Sequence, residues 1–401
     1  MKCSRYLIRD VRVILGPSGL SGGRCDIEIV GERIADVRPF GADTPADTTV
    51  IEGKGLIACP GFIDLHVHGG MGADFMDATE ESFRTIGAYH AAGGTTSYFP
   101  TTATESPQAI FSCIDQAARC REQGIGGVEI LGVHAEGPYM APRKHGCHDP
   151  GFVREPSREE NRGYLDRAHI LRRITCAPEV PGVLAFIRDA SREGIAVSGG
   201  HSDATFVQTL QAIECGMSMI THLYSAMSTI TKDGPFRVAG MLEAALLDDR
   251  LATEVIADLR HAPKELLLLA LKTKAKDTVC FTTDAMRGAG MADGVYTFGS
   301  QRGTKAVVEG GVARNLDNTG FASSTVRMID LVRNGIEALG LNLESSVRRA
   351  SLVPARIADA DRRKGTLEAG KDADIVLLAE HPRLEVRLTM ARGKMIAQAL
   401  V

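Results

Sequence analysis

The sequence predicts an α/β fold, a (β/α)₈ TIM-type barrel carrying a small β-sandwich formed by both chain termini. Three observations lead there. Between Cys59 and Ala358, short apolar runs rich in β-branched residues alternate with longer amphipathic stretches, the rhythm of βα units around a parallel sheet. Eight such runs can be counted, the number that closes a barrel. At both chain ends the rhythm changes to short alternating strands divided by Gly and Pro turns.

The barrel strands are read at Phe62 to His68, Thr95 to Thr101, Val128 to Glu136, Ile174 to Ala177, Ile195 to His201, Met219 to His222, Thr253 to Asp258 and Val279 to Asp284. Helices such as Glu80 to Ala92, Pro107 to Gln123 and Pro263 to Lys274 follow them. The terminal strands are read at Arg12 to Leu15, Asp26 to Val30, Arg33 to Val37, Asp374 to Leu378 and within Glu385 to Ala397. Two such tails around one barrel pair most simply into one small domain, 1–57 plus 359–401, against a catalytic barrel over 58–358. Val295 to Ala313, with Gly299, Gly303, Gly310 and Gly311, reads as a hairpin inserted after the last barrel strand. No repeat of fixed period is visible.

Composition narrows the partners. The 401 residues are 44% hydrophobic and 24% charged, with a net charge of −4, so no nucleic acid or anionic membrane is expected as a partner. Met1 to Leu15 is interrupted by Lys2, Arg5, Arg9, Asp10 and Arg12, unlike a signal peptide. The strongest apolar run, Leu266 to Leu271, is far shorter than a membrane span. Nine Cys without a CxxC pair read as reduced thiols of a cytoplasmic protein. The run Arg154, Arg158, Arg162, Arg167, Arg172 and Arg173 is interleaved with Glu155, Glu159, Glu160 and Asp166, and reads as a salt-bridged exposed helix. Gly93-Gly94 and Gly126-Gly127 read as βα turns, not as a phosphate-cradling loop.

The chemistry is concentrated at strand ends. In Pro60-Gly61-Phe62-Ile63-Asp64-Leu65-His66-Val67-His68, residues two apart share a face, so Asp64, His66 and His68 are expected to point into the barrel. A His-x-His pair alone fits polar strand-end histidines equally well. Its company decides the matter: strand three ends at Glu136, strand five at His201, strand six at His222 and strand eight at Asp284. The C-terminal strand ends of a barrel converge on one mouth, so these side chains should meet. A catalytic zinc-like site keeps three protein ligands and an open position for water, which Glu136, His201 and His222 can supply. Asp284 is then the candidate general base and acid. If His66 and His68 hold a second ion, Glu136 is the residue placed to bridge the two. Asp64 and His134 are candidates for orienting ligands from behind.

The strings PGFIDLHVHGG, GVHAEGPY, VSGGHSDAT, THLYSAM, IADLRH and TTDAM, in this order, together with GTLEAGKDADIVLL, resemble the amidohydrolase superfamily, in particular its N-acetylglucosamine-6-phosphate deacetylases. The resemblance implies metal ligation by Glu136, His201 and His222, catalysis by Asp284, and a second ion at His66 and His68. It implies substrate contacts by His148 and His261, and a sugar-phosphate loop at Ser225 and Ala226. It also implies a homodimer whose substrate is a small amino-sugar phosphate. The cofactor is a divalent metal, read as zinc with iron, manganese or cobalt as alternatives, and one or two ions per chain.

Two departures stand out. The family's Arg-x-Pro-Gly string after THLxxAM is replaced by Thr231-Lys232-Asp233-Gly234-Pro235-Phe236-Arg237, leaving Lys232 or Arg237 for the phosphate. Phe321-Ala322-Ser323-Ser324 stands where the family tends to have Leu-[Ala/Ser]-Gly-Ser. The expected reaction is deacetylation of N-acetylglucosamine 6-phosphate. The alternatives are deacetylation of N-acetylgalactosamine 6-phosphate or deacylation of another N-acyl sugar or amino acid. A barrel that has lost its chemistry is a further alternative, and the complete ligand set argues against it.

Overall fold

The computed structural model describes residues 4–41 and 43–399. Eight parallel strands form the central sheet, in sequence order around the barrel: Phe62–Val67, Thr95–Thr102, Val133–Glu136, Leu171–Cys176, Ala196–Gly199, Met217–Ile220, Ala252–Val255 and Val279–Phe281. They are numbered barrel strands 1 to 8 below. The ring closes just beyond strand 8, where Asp284 N–H donates to His66 O at 2.8 Å and His68 N–H to Ala285 O at 2.9 Å.

The connecting helices obey local rules. Pro107–Gln123 starts behind Ser106, whose hydroxyl accepts from Ala109 N–H, has Pro107 in its first turn, and stops at Gly124 with φ of 66°. Its buried residues Ile110, Cys113, Ile114, Ala117 and Cys120 recur at helical spacing, so one face packs on the barrel. The insertion after strand 8 is a three-stranded meander, Gly294–Thr297, Lys305–Glu309 and Val312–Asn315. Its second turn is Gly310-Gly311, both at positive φ (57° and 74°), as a two-residue hairpin loop requires.

The third strand is broken where one continuous run was expected. Glu129–Ile130 pairs only with strand 2, and Val133–Glu136 pairs with strands 2 and 4. Gly132 lies at the break, where a Cβ would meet Arg172 Cγ at 2.2 Å, so the close approach of strand 4 needs glycine there. Strands 5, 6, 7 and 8 also end earlier than the apolar runs implied. His201, His222 and Asp284 lie two or three residues past their strands, with φ of 49°, 27° and 48°. Backbone in this region is strained for residues with a Cβ, and it turns these side chains off the strand direction into the mouth.

The two chain ends meet in one eight-stranded sheet. Ile57–Pro60 joins them, pairing in parallel with Arg5–Val13 and antiparallel with Ile375–Ala379. This sheet has its own apolar core, which includes Ile8, Val11, Ile27, Ile29, Ile375 and Leu377. A buried charge cluster ties it to the barrel. Lys364 Nζ lies 2.7 Å from Glu129 Oε2, 3.0 Å from Asp372 Oδ2 and 2.5 Å from Asp374 Oδ2, and Arg363 brackets Glu129 and Asp372. Burial pushes Glu129 up, but Arg363 and Lys364 outweigh it and hold the carboxyl down at about 2. The three carboxylates would be close enough to hold a metal, and Lys364 is already their cation.

Replacing Lys364 by Met leaves the buried Asp374 without its cation and Glu129 and Asp372 with arginine partners only, and breaking a buried pair in this way costs about 3–5 kcal/mol. The expected result is a clearly lower urea midpoint for Lys364→Met at neutral pH. An unchanged midpoint would show that the cluster does not hold the sheet to the barrel.

Candidate metal centre

The barrel mouth holds a buried carboxylate surrounded by imidazoles. Glu136, at the end of strand 3, is 1% exposed. Its Oε1 lies 3.1 Å from His201 Nε2 and 3.0 Å from His222 Nε2, and these nitrogens lie 3.0 Å apart. Its Oε2 lies 3.3 Å from His66 Nε2, 3.1 Å from His68 Nε2 and 3.2 Å from His148 Nε2. His66 and His68 in turn approach Asp284 Oδ1 at 3.5 and 3.3 Å. The site therefore contains two tight trios, Glu136 with His201 and His222, and Asp284 with His66 and His68, and the Glu136 carboxylate faces both.

Tautomers follow from what lies behind each ring. His201 Nδ1 faces Lys144 O at 2.6 Å and His66 Nδ1 faces Glu254 Oε1 at 2.7 Å. Both partners only accept, so each Nδ1 carries a proton, and each Nε2 is the atom left to face the Glu136 carboxylate. That contact, at 3.1 and 3.3 Å, needs positive charge, supplied either by a second proton on the ring or by a metal ion between the atoms. Burial pushes His66 and His68 down, but Glu136 and Asp284 outweigh it and raise His66 well above the usual imidazole range and His68 to about 9, so the centre favours cationic charge, and its His and carboxylate donors fit a divalent metal. His68 and His222 have buried Nδ1 atoms without a hydrogen-bond partner.

His148 is different. Thr104 N–H donates to its Nδ1 at 3.0 Å, so Nε2 bears the proton and donates toward Glu136. Glu136, His148 and His201 lie close enough to form a third possible metal group, but His148 enters it as a donor. Burial, with His201 and His68 nearby, pushes its pKa down to about 4 despite Glu136, and the ring stays neutral. Burial pushes Glu136 and Asp284 up, but the facing histidines outweigh it and hold both below the usual carboxylate range. Asp284 is thus an ionised acceptor, oriented by Ser323 Oγ–H at 3.0 Å.

A pocket of about 460 Å³ opens over this centre and is lined by Glu136, His148, His201, His222, Asp284 and further mouth residues. Ser225, Ala226 and His261 line it too. His261 Nδ1–H donates to Asp258 Oδ2 at 2.8 Å, and its ring packs 4.5 Å from that of Phe321. Arg237 is not brought into this wall. It lies on the exposed hairpin formed by Thr231–Asp233 and Phe236–Val238, beside Lys232. The pocket-lining cations of the chain are instead Arg143 and Lys144, which sequence reasoning passed over because they sit in a loop without periodicity. Asp64 lies behind the site, accepting from Thr282 Oγ, Thr283 N–H and Thr283 Oγ, and so ties strand 1 to strand 8. His134 bonds Thr175 Oγ at 2.7 Å inside the barrel.

The amidohydrolase family model matches residues 57–396. This chain belongs to that family. Among the relatives of this amidohydrolase, N-acetylgalactosamine-6-phosphate deacetylase of Escherichia coli O157:H7 is 35% identical over 86% of this chain and 89% of its own length. N-acetylglucosamine-6-phosphate deacetylase of Bacillus subtilis (strain 168) is 32% identical over 96% of each chain. The crystal structure of N-acetylglucosamine-6-phosphate deacetylase from Pasteurella multocida superposes with a TM-score of 0.90 at 28% identity, over 98% of this chain and all of that one.

Metal-stripped protein is expected to regain stability when zinc is returned, by about 2.7 kcal/mol at a hundred times the dissociation constant. The rise in melting midpoint should vanish in the His201→Ala/His222→Ala double variant. A wild-type midpoint indifferent to zinc, cobalt and manganese alike would refute the assignment of a metal to this centre.

Proposed function

We propose that the chain is a metal-dependent deacetylase that converts N-acetylglucosamine 6-phosphate to glucosamine 6-phosphate and acetate. The observation that carries the reading is the ring of imidazole nitrogens around the buried Glu136 carboxylate, beside an ionised Asp284, at the floor of a pocket sized for a small molecule. The relatives' names supply the substrate class.

In this reading Glu136, His201 and His222 would hold one divalent ion, and His66 and His68 would hold a second. The bound metal supplies an acidified water and a polarised carbonyl. Asp284 takes the proton from the water that adds to the acetyl carbonyl carbon. As the C–N bond breaks, the same carboxyl hands that proton to the departing amine. Ser323 keeps Oδ1 of Asp284 aimed during both transfers. His148 and His261 contact the sugar, with His148 donating from Nε2, and the Ser225-Ala226 loop receives the phosphate.

Zinc suits the His and carboxylate donors, as do iron, manganese and cobalt. We place the enzyme in the cytoplasm as a homodimer. The described cysteines are free, and the Lys232–Arg237 hairpin is exposed and outside its own chain's pocket, which leaves its cations open to a second copy. No helix among the described residues is long and apolar enough to cross a membrane. A second substrate reading, N-acetylgalactosamine 6-phosphate, is favoured by the 35% identical relative of that name.

Acetate release on N-acetylglucosamine 6-phosphate, N-acetylgalactosamine 6-phosphate and unphosphorylated N-acetylglucosamine, run side by side, tests the proposal. The first should be preferred, and preference for the second supports the other reading. No turnover of any of them by metal-loaded protein refutes both. Asp284→Asn should keep the ion of Glu136, His201 and His222 and lose activity by a factor of about 10²–10⁴, the usual contribution of a positioned acid–base group. A variant near the wild-type rate would remove Asp284 from the proton path.

A further inference from the structure

Glu254 takes no part in the chemistry above, yet it touches both halves of the centre. It lies in strand 7 and is fully buried. Its Oε1 accepts from His66 Nδ1–H at 2.7 Å and from the backbone N–H of His222 at 3.0 Å. Its Oε2 accepts from Arg173 Nη1 at 2.5 Å. Arg173, in strand 4, is itself fixed by Ser198 Oγ and Thr221 Oγ, each at 3.0 Å, and by Leu65 O at 3.3 Å. The guanidinium thus reaches strands 1, 5, 6 and 7 across the barrel interior and holds the carboxylate in one orientation.

A carboxylate accepting the Nδ1 proton of an imidazole fixes the tautomer and makes the opposite nitrogen a better donor to a metal. His68 has no such partner, because its Nδ1 is buried and unbonded. The pocket formed by His66, His68 and Asp284 therefore has one externally oriented imidazole, and Glu254 is what orients it. We infer that Glu254 is a positioning residue that sets the affinity of the His66, His68 and Asp284 pocket for its ion. The inference rests on the metal-dependent reading given above.

The test is a cobalt(II) titration of metal-stripped protein, followed by visible absorption together with ions per chain. His66→Asn marks which transition belongs to the His66 pocket. Wild type should take up two ions. Glu254→Gln, which keeps an acceptor oxygen but loses the charge, should bind the His66-pocket ion about 10–100-fold more weakly and the other near its wild-type affinity. The Arg173→Met/Glu254→Gln double variant removes both buried charges, avoids a stranded guanidinium and should show the same selective loss. A folded variant that binds both ions with wild-type affinity overturns the inference, even if its metal-free form melts earlier, because a merely structural role would do that. Equal weakening of both ions, or a wild type that takes up one ion only, also overturns it. A wild type that binds no ion overturns the metal-dependent reading on which it stands.

Discussion

Five imidazole nitrogens lie within 3.0 to 3.3 Å of the two oxygens of one buried carboxylate, Glu136. That contact is the constraint on which the rest depends. Imidazoles and a carboxylate crowded out of water are costly to assemble, and they are stable together only with positive charge among them. The barrel supplies the means of assembly, because it delivers side chains from strands 1, 3, 5 and 6 to one point. The left-handed backbone at His201, His222 and Asp284 is part of the same arrangement, spending local strain to aim each group inward.

Beneath this centre the barrel is filled with polar groups where apolar layers are usual. Arg173, Glu254, Ser198, Thr221, Thr175 and His134 are buried and joined by hydrogen bonds. A buried ion pair rarely adds net stability, so its use here is better explained by orientation than by folding energy. His66 is held from behind by Glu254, and His201 by the carbonyl of Lys144 in the mouth loop. The donors are therefore set before any ligand arrives, which limits the reorganisation that binding demands.

Much of this could be read from the chain. The eight strands lie close to their apolar runs, and the helix over Pro107–Gln123 agrees to the residue because Ser106, Pro107 and Gly124 are strong local punctuation. His66, His68, Glu136, His201, His222 and Asp284 stood out because each followed an apolar run. Arg173 did not. Counted with Arg154, Arg158 and Arg162, it looked like part of an exposed basic face, and only Arg158–Leu165 is that helix. Arg173 belongs instead to strand 4 and is 1% exposed. Charge patterning is blind to this, since the partner that permits its burial, Glu254, is distant in sequence. The same blindness hid Glu254 in an unremarkable strand and Arg143 in a loop.

The sequence by itself determined the element order, the barrel, the joining of the two termini and the identity of the side chains at the mouth. These depend on hydrophobic period, turn chemistry and spacing, which are local properties. The tertiary structure alone decided that His66 and His201 carry a proton on Nδ1 and His148 on Nε2, so that His148 donates to Glu136, and that Arg237 lies outside its own chain's pocket. Such facts depend on what stands behind each ring or beside each loop. Those neighbours come from strands and loops far apart in the chain, so they exist only once the barrel has closed.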